Sequence, residues 1–139
     1  MVSPKEAKIS HYLGIDFGTK HIGLSVAESA TRIAFRYGTL ENDKAYFKKL
    51  LEIIKKEEVD TVVIGVPSYA NEEDTVYEGE NLGYELKKVL PEMDISLQNE
   101  MFTTKMAKEN IRERGGRKIK ESDHEEAARI ILQSWLDKI

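Results

Sequence analysis

The chain contains no cysteine, which excludes disulfides, zinc–thiolate centres, iron–sulfur clusters and cysteine nucleophiles. Any metal must therefore be held by oxygen or imidazole. No apolar run approaches the roughly 20 residues that a membrane helix requires. Met1 to Ser10 lacks the apolar core and cleavage pattern of a secretory signal, so residence in the cytoplasm is the expectation. A surplus of positive charge is missing too. With a formal net charge of −4, contact with a polyanion has to come from a local cluster rather than from the whole surface. Such a cluster exists: Lys105, Lys108, Arg112, Arg114, Arg117, Lys118 and Lys120 are opposed only by Glu109 and Glu113, whereas the stretch from Glu72 to Glu85 is acidic. The polarised pattern offers one face to a polyanion, although such runs also serve simply to solvate helices.

What is present fits one folded unit. Length and a 40% hydrophobic, 33% charged composition predict a single domain over residues 1–139, with 1–10 as a flexible N-terminal segment. The run Tyr12 to Asp16 stops at the turn Phe17-Gly18-Thr19-Lys20, and Ile22, Leu24 and Val26 then alternate, which predicts a hairpin. Ile33, Phe35 and Tyr37 predict a third strand ending at Gly38, and Asn42 or Asp43 is expected to cap a helix carrying Phe47, Leu50, Leu51 and Ile54. Thr61 to Gly65 reads as a strand covered on both faces. A helix with Leu82, Leu86, Val89 and Leu90 on one face follows, then a strand with Ile95 and Leu97 running to Glu100. A helix from Thr103 or Thr104 to Gly115-Gly116 and a last helix from Ser122, with Ala128, Ile131, Leu132, Trp135 and Leu136 on one stripe, complete the order. The expectation is an α/β fold: a five-stranded mixed sheet flanked by helices, with its site at strand ends.

Three acidic residues occupy such ends. Asp16 closes the first strand between Gly14 and Gly18, Glu100 closes the fifth, and Asp123 opens the last helix. Each has a structural explanation of its own, as a turn residue, a charge at a helix start or a capping-box member. Together they suggest carboxylates gathered on Mg²⁺ or Mn²⁺, hard ions that prefer oxygen and can support phosphodiester cleavage. A phosphate loop fails on spacing, because three residues separate Gly14 from Gly18 and Thr19 precedes Lys20, and Gly14, Gly18 and Gly23 are too far apart for a dinucleotide fingerprint. His11, His21 and His124 show no ligand spacing, and Ser25, Ser29 and Ser68 sit in no nucleophile elbow.

Four blocks in order resemble the YqgF family, also called RuvX-like, of ribonuclease H-like proteins: Gly14-Ile15-Asp16-Phe17-Gly18-Thr19-Lys20-His21-Ile22-Gly23, Val63-Ile64-Gly65-Val66-Pro67, Asn99-Glu100-Met101-Phe102-Thr103-Thr104, and Ala127-Ala128 with Ile131 to Asp137. The resemblance implies a ribonuclease H-like fold and Mg²⁺-dependent cleavage by Asp16, Glu100 and an acid at the start of the last helix, in 5′-end maturation of pre-16S ribosomal RNA. Asp123 is taken as that acid, with His124 standing at the strict register of the family's third position and Glu126 as a further possible ligand. Asn99 and Met101 replace a carboxylate and an arginine of the family pattern, and His21 replaces a common Arg or Lys. Lys20, Lys105, Arg112, Arg117 and Lys118 are the expected phosphate contacts, and the protein is expected to be a monomer or homodimer. Alternatives are a Holliday junction resolvase-like DNA endonuclease, an RNA-binding ribosome-assembly factor without catalysis, and, last, half of an actin-like ATPase.

Overall fold

The computed structural model describes residues 8–66, 73–99 and 121–139. Five strands form one sheet: β1 (His11–Phe17), β2 (His21–Glu28), β3 (Phe35–Glu41), β4 (Thr61–Val66) and β5 (Asp94–Asn99). The helices are α1 (Tyr46–Lys56), α2 (Glu73–Val89) and α3 (Glu121–Leu136). Strand order is β3-β2-β1-β4-β5, with β1–β2 and β2–β3 antiparallel and β1–β4 and β4–β5 parallel. The mixed sheet expected from the strand–helix alternation is therefore present. The parallel strands β1, β4 and β5 all end on one edge of the sheet. The helix expected between Thr103 and Gly116 lies outside the described residues.

Period-two alternation divides each central strand between two cores. Leu13 and Ile15 of β1, Ile22 and Leu24 of β2, and Val62 and Ile64 of β4 pack with Leu50 and Ile54 of α1 and with Leu82 and Leu86 of α2. On the other face, Ala27 and Val63 pack with Ile131, Leu132 and Leu136 of α3. Trp135 flanks this second core and meets Tyr12 edge to face, with ring centroids 5.2 Å apart. Asp16 shares its alternation phase with Tyr12 and Gly14, which puts it on the α3 face.

Small residues on that face set how deeply α3 sits. A Cβ on Gly14 would lie 2.3 Å from Ser25 Oγ, 2.8 Å from Leu132 Cβ and 3.0 Å from the Ala128 carbonyl oxygen. The close approach that Gly14 permits is thus to a helix. Ser25 Oγ–H donates to that same Ala128 carbonyl at 2.7 Å in a fully buried setting. At the other end of α3, Arg32 donates from Nη2 to the Leu136 carbonyl at 3.0 Å, a cation placed where the helix C-terminus is electronegative.

Several local expectations change. Ile33 precedes β3 and is exposed, and the strand runs through Gly38 to Glu41. The register passes from Leu24 opposite Gly38 to Ser25 opposite Arg36, so Tyr37 is an extra residue and Gly38 flanks a bulge rather than ending the strand. α1 starts at Tyr46 with Ala45 at its N-cap and no side-chain cap. Asp43 Oδ1 instead accepts from the Ala45 N–H, while Asn42 is engaged elsewhere. Val89 is 51% exposed, off the apolar face assigned to it, because α2 ends there and Leu90 turns back onto the core through its N–H to the Leu86 carbonyl. Ser10 pairs with Ser29 through both backbone N–H groups, at 2.9 Å each, which ties down the start of β1.

Candidate metal centre

Asp16 stands one residue from the end of β1, paired across β2 with Gly23. The hairpin that follows is closed by the Gly18 N–H donating to the His21 carbonyl at 3.0 Å. Asn42 pins its tip twice, with Nδ2 donating to the Gly18 carbonyl at 2.8 Å and its own N–H to the Lys20 carbonyl at 2.9 Å. Read from the sequence as a helix cap, Asn42 is thus a support for the loop beside Asp16. Its position directly after β3, beside the hairpin tip, became legible only once the strands were paired.

The first turn of α3 descends onto this hairpin. Gly23 lacks the Cβ that would lie 2.0 Å from the His124 carbonyl oxygen, and a Cβ on Gly18 would lie 3.4 Å from His124 Cε1. Seated there, His124 presents Nδ1 3.4 Å from Asp16 Oδ2, with side-chain exposures of 23% and 17%. The His21 ring stands beside that of His124, centroids 5.5 Å apart. Asp123, one residue earlier, is 5% exposed. Glu100 lies outside the described residues, but β5 ends at Asn99, on the sheet edge that carries Asp16. Lys20 is exposed at the hairpin tip, while Lys105, Arg112, Arg117 and Lys118 lie outside the described residues.

Glu126 has another role. Its carboxylate is held by Arg129 and, at 3.2 Å, by Arg36 Nη2 of β3. Burial alone would push its pKa up, but the hydrogen bonds from Arg129 and Arg36 outweigh that and hold it below the ordinary value of 4.5. Since the folded-state value is the lower one, the associated stability is complete above 4.5 and is lost as the pH falls through the depressed value. Glu126→Gln is therefore expected to flatten the acid limb of the stability curve. Urea midpoints of the two proteins that fall in parallel between about pH 5 and pH 3 would refute this.

Among the described residues, no group of three His, Asp or Glu side chains forms a complete metal site. Asp16 and His124 do form a two-donor pair. Donors about 2.1 Å from one ion stand roughly 3.0–3.4 Å apart at ordinary coordination angles, and the observed separation falls at the upper end of that range. The pair fits a divalent cation on the open strand edge that Glu100 also approaches in sequence.

A five-stranded mixed sheet of this order, with α3 across one face, defines the ribonuclease H-like fold. T. thermophilus RuvC in complex with a Holliday junction substrate superposes with a TM-score of 0.57 at 17% identity, over 93% of this chain and 94% of that one. The yeast mitochondrial Holliday junction resolvase gives 0.58 at 13% identity, over 91% and 78%. Likeness at such identity speaks for the fold alone.

Sequence narrows this further: the chain belongs to the RuvX family, described as Holliday junction resolvase, whose pattern matches residues 10–138. A protein of Maridesulfovibrio salexigens, named as a candidate pre-16S rRNA nuclease, is 36% identical over 130 residues, spanning 89% of this chain and 96% of its own. One of Staphylococcus carnosus with the same name is 35% identical over 136 residues, spanning 91% and 95%. The resemblance drawn from the four sequence blocks holds, and with it membership of a nuclease family.

Proposed function

We propose that this protein is a divalent-metal-dependent nuclease that cleaves phosphodiester bonds in structured RNA, with the 5′ end of pre-16S ribosomal RNA as substrate and the cytoplasm as its location. The observation that carries the reading is the opposition of the Asp16 carboxylate to the first turn of α3 at the sheet edge where β5 leads into Glu100. The names of the full-length relatives support the substrate.

Asp16 and Glu100 would hold Mg²⁺ or Mn²⁺ together with a residue of the first turn of α3. When bound, such an ion lowers the pKa of water and stabilises charge on phosphate oxygens. The chain's own part is to fix the geometry. The β1–β2 pairing and Asn42 keep the Asp16 hairpin rigid, and the glycine-lined seat of α3 holds its first turn against that hairpin. Lys20 at the exposed tip, with Lys105, Arg112, Arg117 and Lys118, would meet the substrate backbone. Among the described residues no helix is long and apolar enough to cross a membrane.

The structural neighbours give a second reading, cleavage of four-way DNA junctions, because solved resolvases share the fold and one is bound to its junction. Incubating the protein with labelled precursor rRNA and with a four-way junction, each in Mg²⁺, Mn²⁺ or chelator, separates the two. Metal-dependent cuts in the RNA near the mature 5′ end are expected. Cuts confined to the junction would favour the second reading, and no cleavage of either would reject catalysis.

A further inference from the structure

We propose that the imidazole of His124, in place of the Asp123 carboxylate, joins Asp16 in holding the metal ion, and that this nitrogen donor makes the site prefer Mn²⁺ to Mg²⁺. The inference rests on the metal-dependent reading above and specifies which side chain of α3 completes the site.

The geometry distinguishes the two neighbours. Consecutive helical residues point about 100° apart. His124 follows the line of Ala128 and Ile131 onto the central strands, whereas Asp123 follows Ala127 and Ile130. It is Nδ1 of His124 that stands 3.4 Å from Asp16 Oδ2. A charge-assisted N–H···O bond would draw these atoms to about 2.7–2.9 Å. At 3.4 Å the two atoms are in hydrogen-bond contact and also at a separation that two donors to one ion can adopt. Both side chains are largely covered yet keep an open side, as a ligand pair facing a polymeric substrate needs, while Asp123 is buried.

The packing that fixes the imidazole is unusually exacting. Gly23 lets the His124 backbone rest directly on β2, which seats the residue over the Asp16 hairpin.

Chemistry then sets the metal. An all-carboxylate set suits Mg²⁺ and Mn²⁺ alike, but imidazole is a better ligand for transition ions than for Mg²⁺. Replacing the family's third carboxylate with histidine removes one negative charge and adds a donor that discriminates between them.

The test uses the full chain with Mn²⁺ and Mg²⁺ as separate titrants in calorimetry, and pulsed electron paramagnetic resonance on the bound Mn²⁺. Wild-type protein should bind Mn²⁺ at least about tenfold more tightly than Mg²⁺ and show nitrogen coupling from a coordinated imidazole. His124→Ala should abolish that coupling and weaken Mn²⁺ binding by about 10–100-fold. His124→Asp, which restores a carboxylate, should bring the two affinities close together. Asp123→Asn and His21→Ala should keep the coupling, and circular dichroism establishes that each variant is folded. Absence of coupling in wild type, with Mn²⁺ binding still abolished by Asp16→Asn, would overturn the His124 assignment and leave the metal site standing. Coupling that survives His124→Ala would overturn it as well. If the folded wild-type protein binds neither ion at millimolar concentration, the metal-dependent reading falls and the inference with it.

Discussion

Asp16→Asn is expected to reduce metal-dependent cleavage by about a thousandfold or more, while stability to urea changes by less than about 0.5 kcal/mol. The asymmetry follows from where the residue stands. Asparagine has nearly the same shape and leaves the backbone pairing of position 16 with Gly23 untouched. The side chain lies at a strand end and belongs to neither core. What is lost is the negative charge proposed to anchor the ion. A metal supplies several kcal/mol of transition-state stabilisation, and losing about 4 kcal/mol corresponds to roughly a thousandfold in rate. Affinity for substrate RNA in chelator should persist, since the basic residues proposed to meet phosphate are unchanged. Cleavage by Asp16→Asn at the wild-type rate would remove Asp16 from the site. Equal loss of cleavage and of RNA affinity would indicate a binding defect instead.

The sequence disclosed the parts of this molecule governed by local periodicity. Alternation in Tyr12 to Asp16 and Ile22 to Val26, the β-branched run at Thr61 to Gly65, and the Ala128 to Leu136 stripe each set one element, and their order predicted the mixed sheet. Asp16 was legible for the same reason: a charged residue ending an apolar strand between glycines breaks the pattern around it. The features that failed depend on residues distant in sequence. Asn42 reads as a helix cap until β3 carries it to the hairpin tip. Gly38 reads as a strand end until the pairing with β2 exposes a bulge. Gly14 reads only as a flank of Asp16 until α3 is laid across it. Positions 123 and 124 differ by a rotation of about 100° about the α3 axis, a choice that one-dimensional spacing leaves open, whereas packing brings the His124 ring beside Asp16. Glu126 shows the reverse case, an acid near the site in sequence whose charge is committed to Arg36 and Arg129.

Gly23→Ala is expected to be the most damaging single-methyl change in the described fold, costing about 3 kcal/mol in urea unfolding and lowering metal affinity at least about tenfold. The new Cβ would lie 2.0 Å from the His124 carbonyl oxygen, 2.3 Å from its carbonyl carbon and 2.9 Å from the Glu125 nitrogen. These are backbone atoms, so no rotamer change relieves the contact. Nor can α3 simply lift away. Ser25 holds the Ala128 carbonyl at 2.7 Å, and Ile131, Leu132 and Leu136 are buried against the same sheet. The helix must tilt at its first turn, which breaks the hydrogen bond that the Thr39 hydroxyl donates to Glu125 at 3.0 Å. That tilt moves His124 from Asp16, so stability and metal binding should fail together. Gly38→Ala supplies the control, since a Cβ there meets nothing within 4 Å and should leave both quantities within about 0.5 kcal/mol of wild type. If Gly23→Ala matched Gly38→Ala in both measurements, α3 would not be seated on β2 at this depth. The two-donor pair would then lose its structural basis, because the separation between His124 and Asp16 is set by that contact.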